Sequence, residues 1–379
     1  MLDRDVLRAA RLAGYGTVST QLSLLSDHRL GEVVAAATPL GSGIGGRSAE
    51  LDVNGMRVFV KRIPLTDIEL RPGNVRSTAN IFELPMFYQY GVGSAGFGAW
   101  RELAVHTMTT NWVLGDAYAG FPLMYHWRVL PDSPPEGFTD EFGSLEGAVA
   151  HWEGSLAVRD RLEAIGQSSC SLVVFLEHVP YTLAGWLADH REPAVSEGGD
   201  GSSFRWVEQA LMDGTDFMSS RGLVHFDAHF TNILTDGRQL YFADFGLALS
   251  SRFDLSTGAS VFLSDHLAYD RCYTASHLLR YHLLDGVRGD TERKAFLHDW
   301  ISGRRPGDVP PAITAIIDRH ARPTAVVDSF FHRLLTESKQ TPFPASEIEN
   351  TAESTGRRGC SRAGGGAADP GTVPGSCQV

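Results

Sequence analysis

Lysine is nearly absent from this chain: of 33 basic residues only Lys61, Lys294 and Lys339 are lysines. A lysine here is therefore a less casual choice than usual. Cysteine is scarce too. Cys170, Cys272, Cys360 and Cys377 show no Cys-x-x-Cys or His/Cys metal spacing, which argues against a disulfide framework or zinc site and fits free thiols in a reducing compartment. No apolar run approaches the roughly 20 residues that cross a bilayer. The opening MLDRDVLRAARLAG is charged and helix-patterned rather than signal-like, so a cytoplasmic location is expected. An excess of basic charge is also missing. The net charge of −12 argues against nucleic acid or an anionic membrane as partner, since both rest on basic surface. It is compatible with a cationic substrate, although a solvated acidic surface explains it as well. What remains is 379 residues, 43% hydrophobic and 21% charged, enough for one large domain or two lobes with ample core.

Residues 3–14 carry Val6, Leu7, Ala10 and Leu12 at near-helical spacing, within an N-terminal helical extension over 1–32. Three strand-like runs follow, VVAAATPL (33–40), SAELDV (48–53) and MRVFVKRI (56–63). The last two are joined by Asn54-Gly55, a strong two-residue hairpin signal. Residues 64–98 lack periodicity and are rich in Pro, Gly, Asn and aromatics, which marks a functional or flexible connection. A helix is predicted over 99–114 and strands over 122–130 and 171–179, with a second insertion at 131–165 that holds a helix near 146–165. From about 180 the pattern is helical, with later helices at 263–284, 290–302, 311–320 and 323–337. Short strands at 233–235 and 239–243, joined by Asp236-Gly237, interrupt it. From 341 the composition shifts to Gly, Ala, Ser, Pro and Thr, which predicts a disordered tail over 341–379. Truncation after Gln340 is accordingly expected to leave activity intact. The expected fold class is α+β, with a β-rich lobe over 33–178, a helical lobe over 179–340 and a ligand cleft between them.

Transfer of a phosphoryl group from a nucleotide needs phosphate oxygens held, metal ions placed and an attacking hydroxyl oriented. Five features line up with those needs in order. GSGIGG, with Gly41, Gly43 and Gly46, satisfies G-x-G-x-x-G and leads into a strand hairpin, where a dinucleotide fingerprint would lead into a helix. Lys61 follows on a strand, placed to reach a phosphate. Glu102 lies in the predicted helix and can ion-pair with Lys61; Glu69 and Glu83 are rivals for that role. HFDAHFTN fits H-x-D-x-x-x-x-N, with Asp227 to accept or orient the hydroxyl proton and Asn232 to bind a metal. Asp244 of ADFG is the second metal ligand, since Mg²⁺ prefers a few hard oxygens plus phosphate oxygens. His225 reads as a packed structural histidine.

These residues resemble the protein-kinase superfamily over roughly residues 33–335. The resemblance implies a two-lobed protein-kinase-like fold, ATP and Mg²⁺ as cofactors, and a phosphate acceptor as partner. VVFLEHV is similar to the hinge between the lobes, where the backbone at Glu177 and Val179 would hold adenine. Asp270 resembles the buried aspartate that supports the catalytic loop from below. Three departures bear on the acceptor. Phe226 stands where protein kinases carry arginine, His229 where they carry lysine, and only 25 residues separate Asp244 from Asp270. A histidine at position 229 is similar to aminoglycoside-type phosphotransferases, which implies a catalytic-loop role for it. DFGLA itself resembles the protein kinases more. The leading expectation is an ATP- and Mg²⁺-dependent kinase acting on a hydroxyl of a small molecule, an antibiotic or metabolite. The alternatives are a serine/threonine protein kinase with an atypical activation segment and a pseudokinase scaffold.

Overall fold

The computed structural model describes residues 4–195, 202–288, 291–306 and 309–351. Two helices open the chain, α1 (Arg4–Ser23) and α2 (Asp27–Ala35). Ser26 caps α2 by accepting from the Arg29 N–H, and Leu30 and Val34, one turn apart, face the core. That turn takes residues 33–35 out of the strand expected there. Strand β1 begins only at Thr38 (Thr38–Gly43) and pairs with β2 (Gly46–Val53). Asn54 (φ 55°) and Gly55 (φ 80°) both adopt the left-handed conformation that a two-residue hairpin turn requires, and they join β2 to β3 (Met56–Leu65).

Helix α3 (Ala99–Leu114) leads to β4 (Met124–Pro131). The helix expected near 146–165 is two, α4 (Leu145–His151) and α5 (Leu156–Gly166). Glu153 and Gly154 between them take positive φ, and Ser155 then caps α5. Strand β5 (Cys170–Glu177) enters between β3 and β4, so the antiparallel five-stranded sheet runs β1-β2-β3-β5-β4. Residues 171–176 are all buried, which is why this central strand shows no apolar–polar alternation.

The rest is mainly helical: β6 (Tyr181–Thr182), α6 (Leu183–Val195), α7 (Ser202–Ser220), β7 (Leu223–Val224), β8 (Ile233–Thr235), β9 (Leu240–Phe242), β10 (Leu249–Ser250), α8 (Thr257–Asp265) and α9 (Tyr269–Leu278). A π-helical turn, Leu279–Leu283, continues α9 and is followed by α10 (Arg293–Ile301) and α11 (Pro311–Thr336). Proline normally breaks a helix interior, yet α11 runs through Pro323 rather than ending before it. Its buried stripe of Ile316, Ile317, Ala321, Thr324 and Val327 continues across the proline, and Arg319 and His320 both bind Glu208 of α7 there. Packing overrides the local preference.

Both insertions are ordered, and they share a core of their own. Phe82, Leu84, Tyr88 and Phe97 from 64–98 pack with Trp152 and Leu162 from the second insertion, apart from the main core. The chain after Gln340 also departs from expectation. Residues 345–351 are helical, Ile348 is buried, and Phe343 packs against Tyr269 and Phe330. The low apolar content of the whole tail had hidden these two anchors; residues 352–379 lie outside the described residues. No helix among the described residues is long and apolar enough to cross a membrane.

Truncation after Gln340 is therefore expected to lower stability, since each buried side chain removed contributes about 1.5–3 kcal/mol. A denaturation midpoint equal to that of the full chain would show the segment is not seated. The α7–α11 junction gives a pH test. Burial pushes the Glu208 carboxyl up, but hydrogen bonds and charge from His320 and Arg319 outweigh it and bring the group to about 2. A depressed folded value means the stabilisation is complete above the ordinary value of 4.5 and is lost as pH falls toward 2. Glu208→Gln is expected to lower stability at neutral pH and to flatten the acid limb, read from denaturation midpoints across pH 2–6.

Candidate functional site

Two short antiparallel pairings assemble the site. β7 pairs with β10, Leu249 opposite Val224, and β8 pairs with β9, so the loop carrying Asp227 and the loop carrying Asp244 lie side by side. The Ala243 N–H donates to the Asn232 carbonyl at 3.0 Å, which fixes their register. Asp270, in the first turn of α9, accepts from the backbone N–H of His225 at 2.6 Å and of Phe226 at 3.0 Å. Those bonds hold Phe226 at φ 63°, an outlier for a bulky residue, and its ring is buried between Tyr90, Phe262 and Tyr269. Asp244 is likewise at φ 61°. Strain of about 1–3 kcal/mol per such residue persists only where the surroundings over-determine it, and it clusters at functional sites.

Lys61 joins three distant parts of the chain. Its Nζ lies 2.8 Å from Glu102 Oε1 on α3 and 2.7 Å from Asp244 Oδ1. Burial works against the ammonium, but Asp244 and then Glu102 outweigh it and hold Lys61 charged above its ordinary range. The rivals for the Glu102 role are elsewhere. Glu69 pairs with Arg161 at 2.9 Å and accepts from the Ala99 N–H at the start of α3, while Glu83 sits in the insertion at φ 53°.

The two site aspartates are driven apart. Burial, then the Asp244 charge, push Asp227 up to about 8, against the pull of Lys61 and an Asn232 hydrogen bond. Burial also opposes ionisation of Asp244, but Lys61 wins there and brings it to about 2. Separated carboxyls of this kind divide the labour, one holding charge and the other able to take a proton near neutral pH. His229 Nε2 is 3.7 Å from Asp227 Oδ1, its ring held by Thr231 and its basicity lowered by burial. His225 is structural: fully buried, its Nε2 binds the Ala243 carbonyl at 2.9 Å.

Asn232 Nδ2 donates to both the Asp227 carbonyl and its Oδ2 at 3.0 Å. That leaves Asn232 Oδ1 and the second Asp244 oxygen to face a ligand. No group of three or more His, Cys, Asp or Glu side chains among the described residues is arranged to hold a metal. The donor set is thus one amide oxygen and one carboxylate, which fits a hard cation that draws its other oxygens from phosphate and water.

Lys61, Glu102, Asp227, His229, Asn232 and Asp244 all line one cleft of about 200 Å³. Of the glycine loop, Ile44 and Gly45 line it, and a Cβ on Gly45 would lie 3.7 Å from Lys61 Nζ. Gly46, at φ 114°, abuts the Arg62 carbonyl and has no room for a Cβ. Gly41 and Gly43 are exposed and stand off the cleft. Glu177 and Val179 are not among its walls either. The Glu177 N–H donates to the Leu123 carbonyl at 2.8 Å, and its carboxylate is forked by Arg11 of α1 at 2.8 and 2.6 Å.

Sequence reading missed the far wall. Ser94, Ala95, Gly96, Gly98 and Arg161, from the two insertions, complete the cleft. Gly91 lies against the Asp227 carboxylate so closely that a Cβ would strike Oδ1, and a Cβ on Gly96 would strike the Gly246 carbonyl. The four glycines in Gly91–Gly98 were the available signal, since backbone can approach so near only without side chains.

No protein-family model matches this chain, and no curated protein matches it in sequence.

Gly91→Ala is expected to cost about 1–3 kcal/mol through displacement of Asp227 or its own segment. Gly43→Ala, which meets open space, is expected to stay within about 0.5 kcal/mol of wild type. Equal urea midpoints for the two variants would mean that Gly91 is not seated on Asp227.

Proposed function

We propose that this chain has a two-lobed, protein-kinase-like fold and transfers the γ-phosphoryl group of ATP to a hydroxyl of a small molecule, with Mg²⁺. The observation that carries the reading is Lys61 bridging Glu102 and Asp244 inside the cleft that also holds Asp227 and Asn232. Four separated segments supply these five side chains, which are of the types that phosphoryl transfer uses.

In this reading Lys61, oriented by Glu102, binds phosphate oxygens of ATP. Asn232 Oδ1 and Asp244 would hold Mg²⁺, which when bound neutralises charge on the transferred group. Asp227 orients the acceptor hydroxyl and takes its proton. The acceptor oxygen bonds to the γ-phosphorus, the bond from phosphorus to the bridging oxygen breaks, and ADP leaves. Asn232, which donates to Asp227 Oδ2, keeps that carboxylate aimed, and the Gly91 segment excludes water from one side of it.

A small acceptor is favoured over a polypeptide by that same segment. Gly91–Gly98 runs across the cleft between Asp227 and Gly246, and Gln89 Nε2 binds the Leu247 carbonyl just after Asp-Phe-Gly. This is where a peptide acceptor would need open surface.

The test is γ-labelled ATP with cell extract divided into protein and small-molecule fractions. Label is expected in the small-molecule fraction, reduced about 10²–10⁴-fold in Asp227→Asn. Label confined to polypeptide would select a protein kinase, and no transfer to either would leave a scaffold.

A further inference from the structure

A second cavity lies on the other side of Gly91. It is about 200 Å³ and is lined by Gly91, Val92, Tyr273, His277, Arg280 and Tyr281, with Ser276, Phe331 and Leu335 behind. Three independent features set it apart. The first is backbone: α9 passes here into the π-helical turn Leu279–Leu283, and such turns inside α-helices are frequent at functional sites. The second is unspent hydrogen-bonding capacity. His277 Nδ1 and Arg280 Nε are buried with no hydrogen-bond partner among the described residues, a state that costs stability unless a ligand meets it.

The third is charge. Arg280 and Arg293 both stack on Tyr281, each 5.2 Å from its ring centre, and Tyr281 stands half-exposed at the mouth. The carboxylates facing them are Asp328, 3.2 Å from Arg280, and Asp285, shared between Arg288 at 3.0 Å and Arg293 at 3.9 Å. Three guanidinium groups thus face two carboxylates, and Lys294 also acts on Asp328. Burial, with His282, His229 and Arg280 nearby, lowers His277 to about 3, so its ring is neutral and serves as a hydrogen-bond partner rather than a cation. Of the residues that line the cavity Arg280 alone carries charge, and Asp227 acts on its Tyr273 wall from the neighbouring cleft.

We propose that this cavity is the acceptor subsite and that it takes a small hydroxyl compound carrying an anionic group, a carboxylate or phosphate, held by Arg280. The inference rests on the phosphotransferase reading and narrows it. His277 Nδ1 binds a polar group of the acceptor, and the hydroxyl reaches Asp227 past Gly91, where no side chain intervenes. A polycationic acceptor is excluded by the same arginines. Arginine suits the role because its planar fork matches a carboxylate or phosphate in two parallel bonds.

The probes are glycerate, glycerol and 3-amino-1,2-propanediol, which share a diol and differ in the charge of one end. Their affinities for the full chain are measured by calorimetry in the presence of Mg²⁺ and ADP, with ATP-dependent transfer followed in parallel. Glycerate is expected to bind at least about tenfold more tightly than glycerol, the increment of one charge-assisted hydrogen bond, and the amine more weakly still. Arg280→Met is expected to abolish that preference while leaving ADP affinity unchanged. Should Arg280→Met not fold, Arg280→Lys serves, with glycerate weakened and the charge preference kept. Equal binding of the three, preference for the amine, or a preference that survives Arg280→Met overturns the subsite. Arg280-dependent glycerate binding with no transfer to any acceptor overturns the phosphotransferase reading alone.

Discussion

The site depends on one buried ion triad. Lys61 has left water, and a buried ammonium is tolerated only where carboxylates meet it. Glu102 and Asp244 do so at 2.8 and 2.7 Å. Because the three come from β3, α3 and the loop before β10, the triad is also a positional constraint between the sheet and the helical part of the chain. Glu102 is almost fully buried, whereas the Asp244 side chain is 43% exposed. One end of the triad is therefore fixed and the other open toward the cleft, where a ligand can join it.

A second constraint comes from the insertions. Their shared core around Trp152 and Tyr88 holds the Gly91–Gly98 segment on Asp227 and Gly246. Tyr90, the residue just before it, is buried against Phe226 and Phe330 and lies 2.8 Å from His266 Nε2 through its hydroxyl. At the other end, Ser338, Lys339 and Gln340 all donate to Glu153 at 2.6–2.9 Å. That clasp ties the end of α11 to the turn between α4 and α5. The geometry of the loop that carries Asp227 is thus supported from below by Asp270 and from the side by a segment that has no regular structure beyond a short turn.

What could be read from residues alone followed the reach of each signal. The Asn54-Gly55 turn, the helix at 99–114 and the spacing of Asp227, Asn232 and Asp244 are local patterns, and the structure brings those side chains into one cleft with Lys61 and Glu102. Readings that needed tertiary information fared worse. Whether Pro323 ends a helix is decided by Glu208 on another helix, and whether residues 341–351 are ordered is decided by Phe343 and Ile348 finding the core. The Gly91 contact with Asp227 spans more than a hundred residues and leaves only a glycine as its trace. The pairing of Arg11 with Glu177 has no sequence signature at all.

The central claim is that the triad and its neighbours bind a nucleotide through a metal. Equilibrium binding of ATP to the full chain, with and without Mg²⁺, tests it most directly when wild type is set beside Asp244→Asn. The account predicts ATP binding that Mg²⁺ tightens in wild type and that the substitution makes indifferent to Mg²⁺. Binding that ignores both the metal and the substitution, or no ATP binding at all, would contradict it.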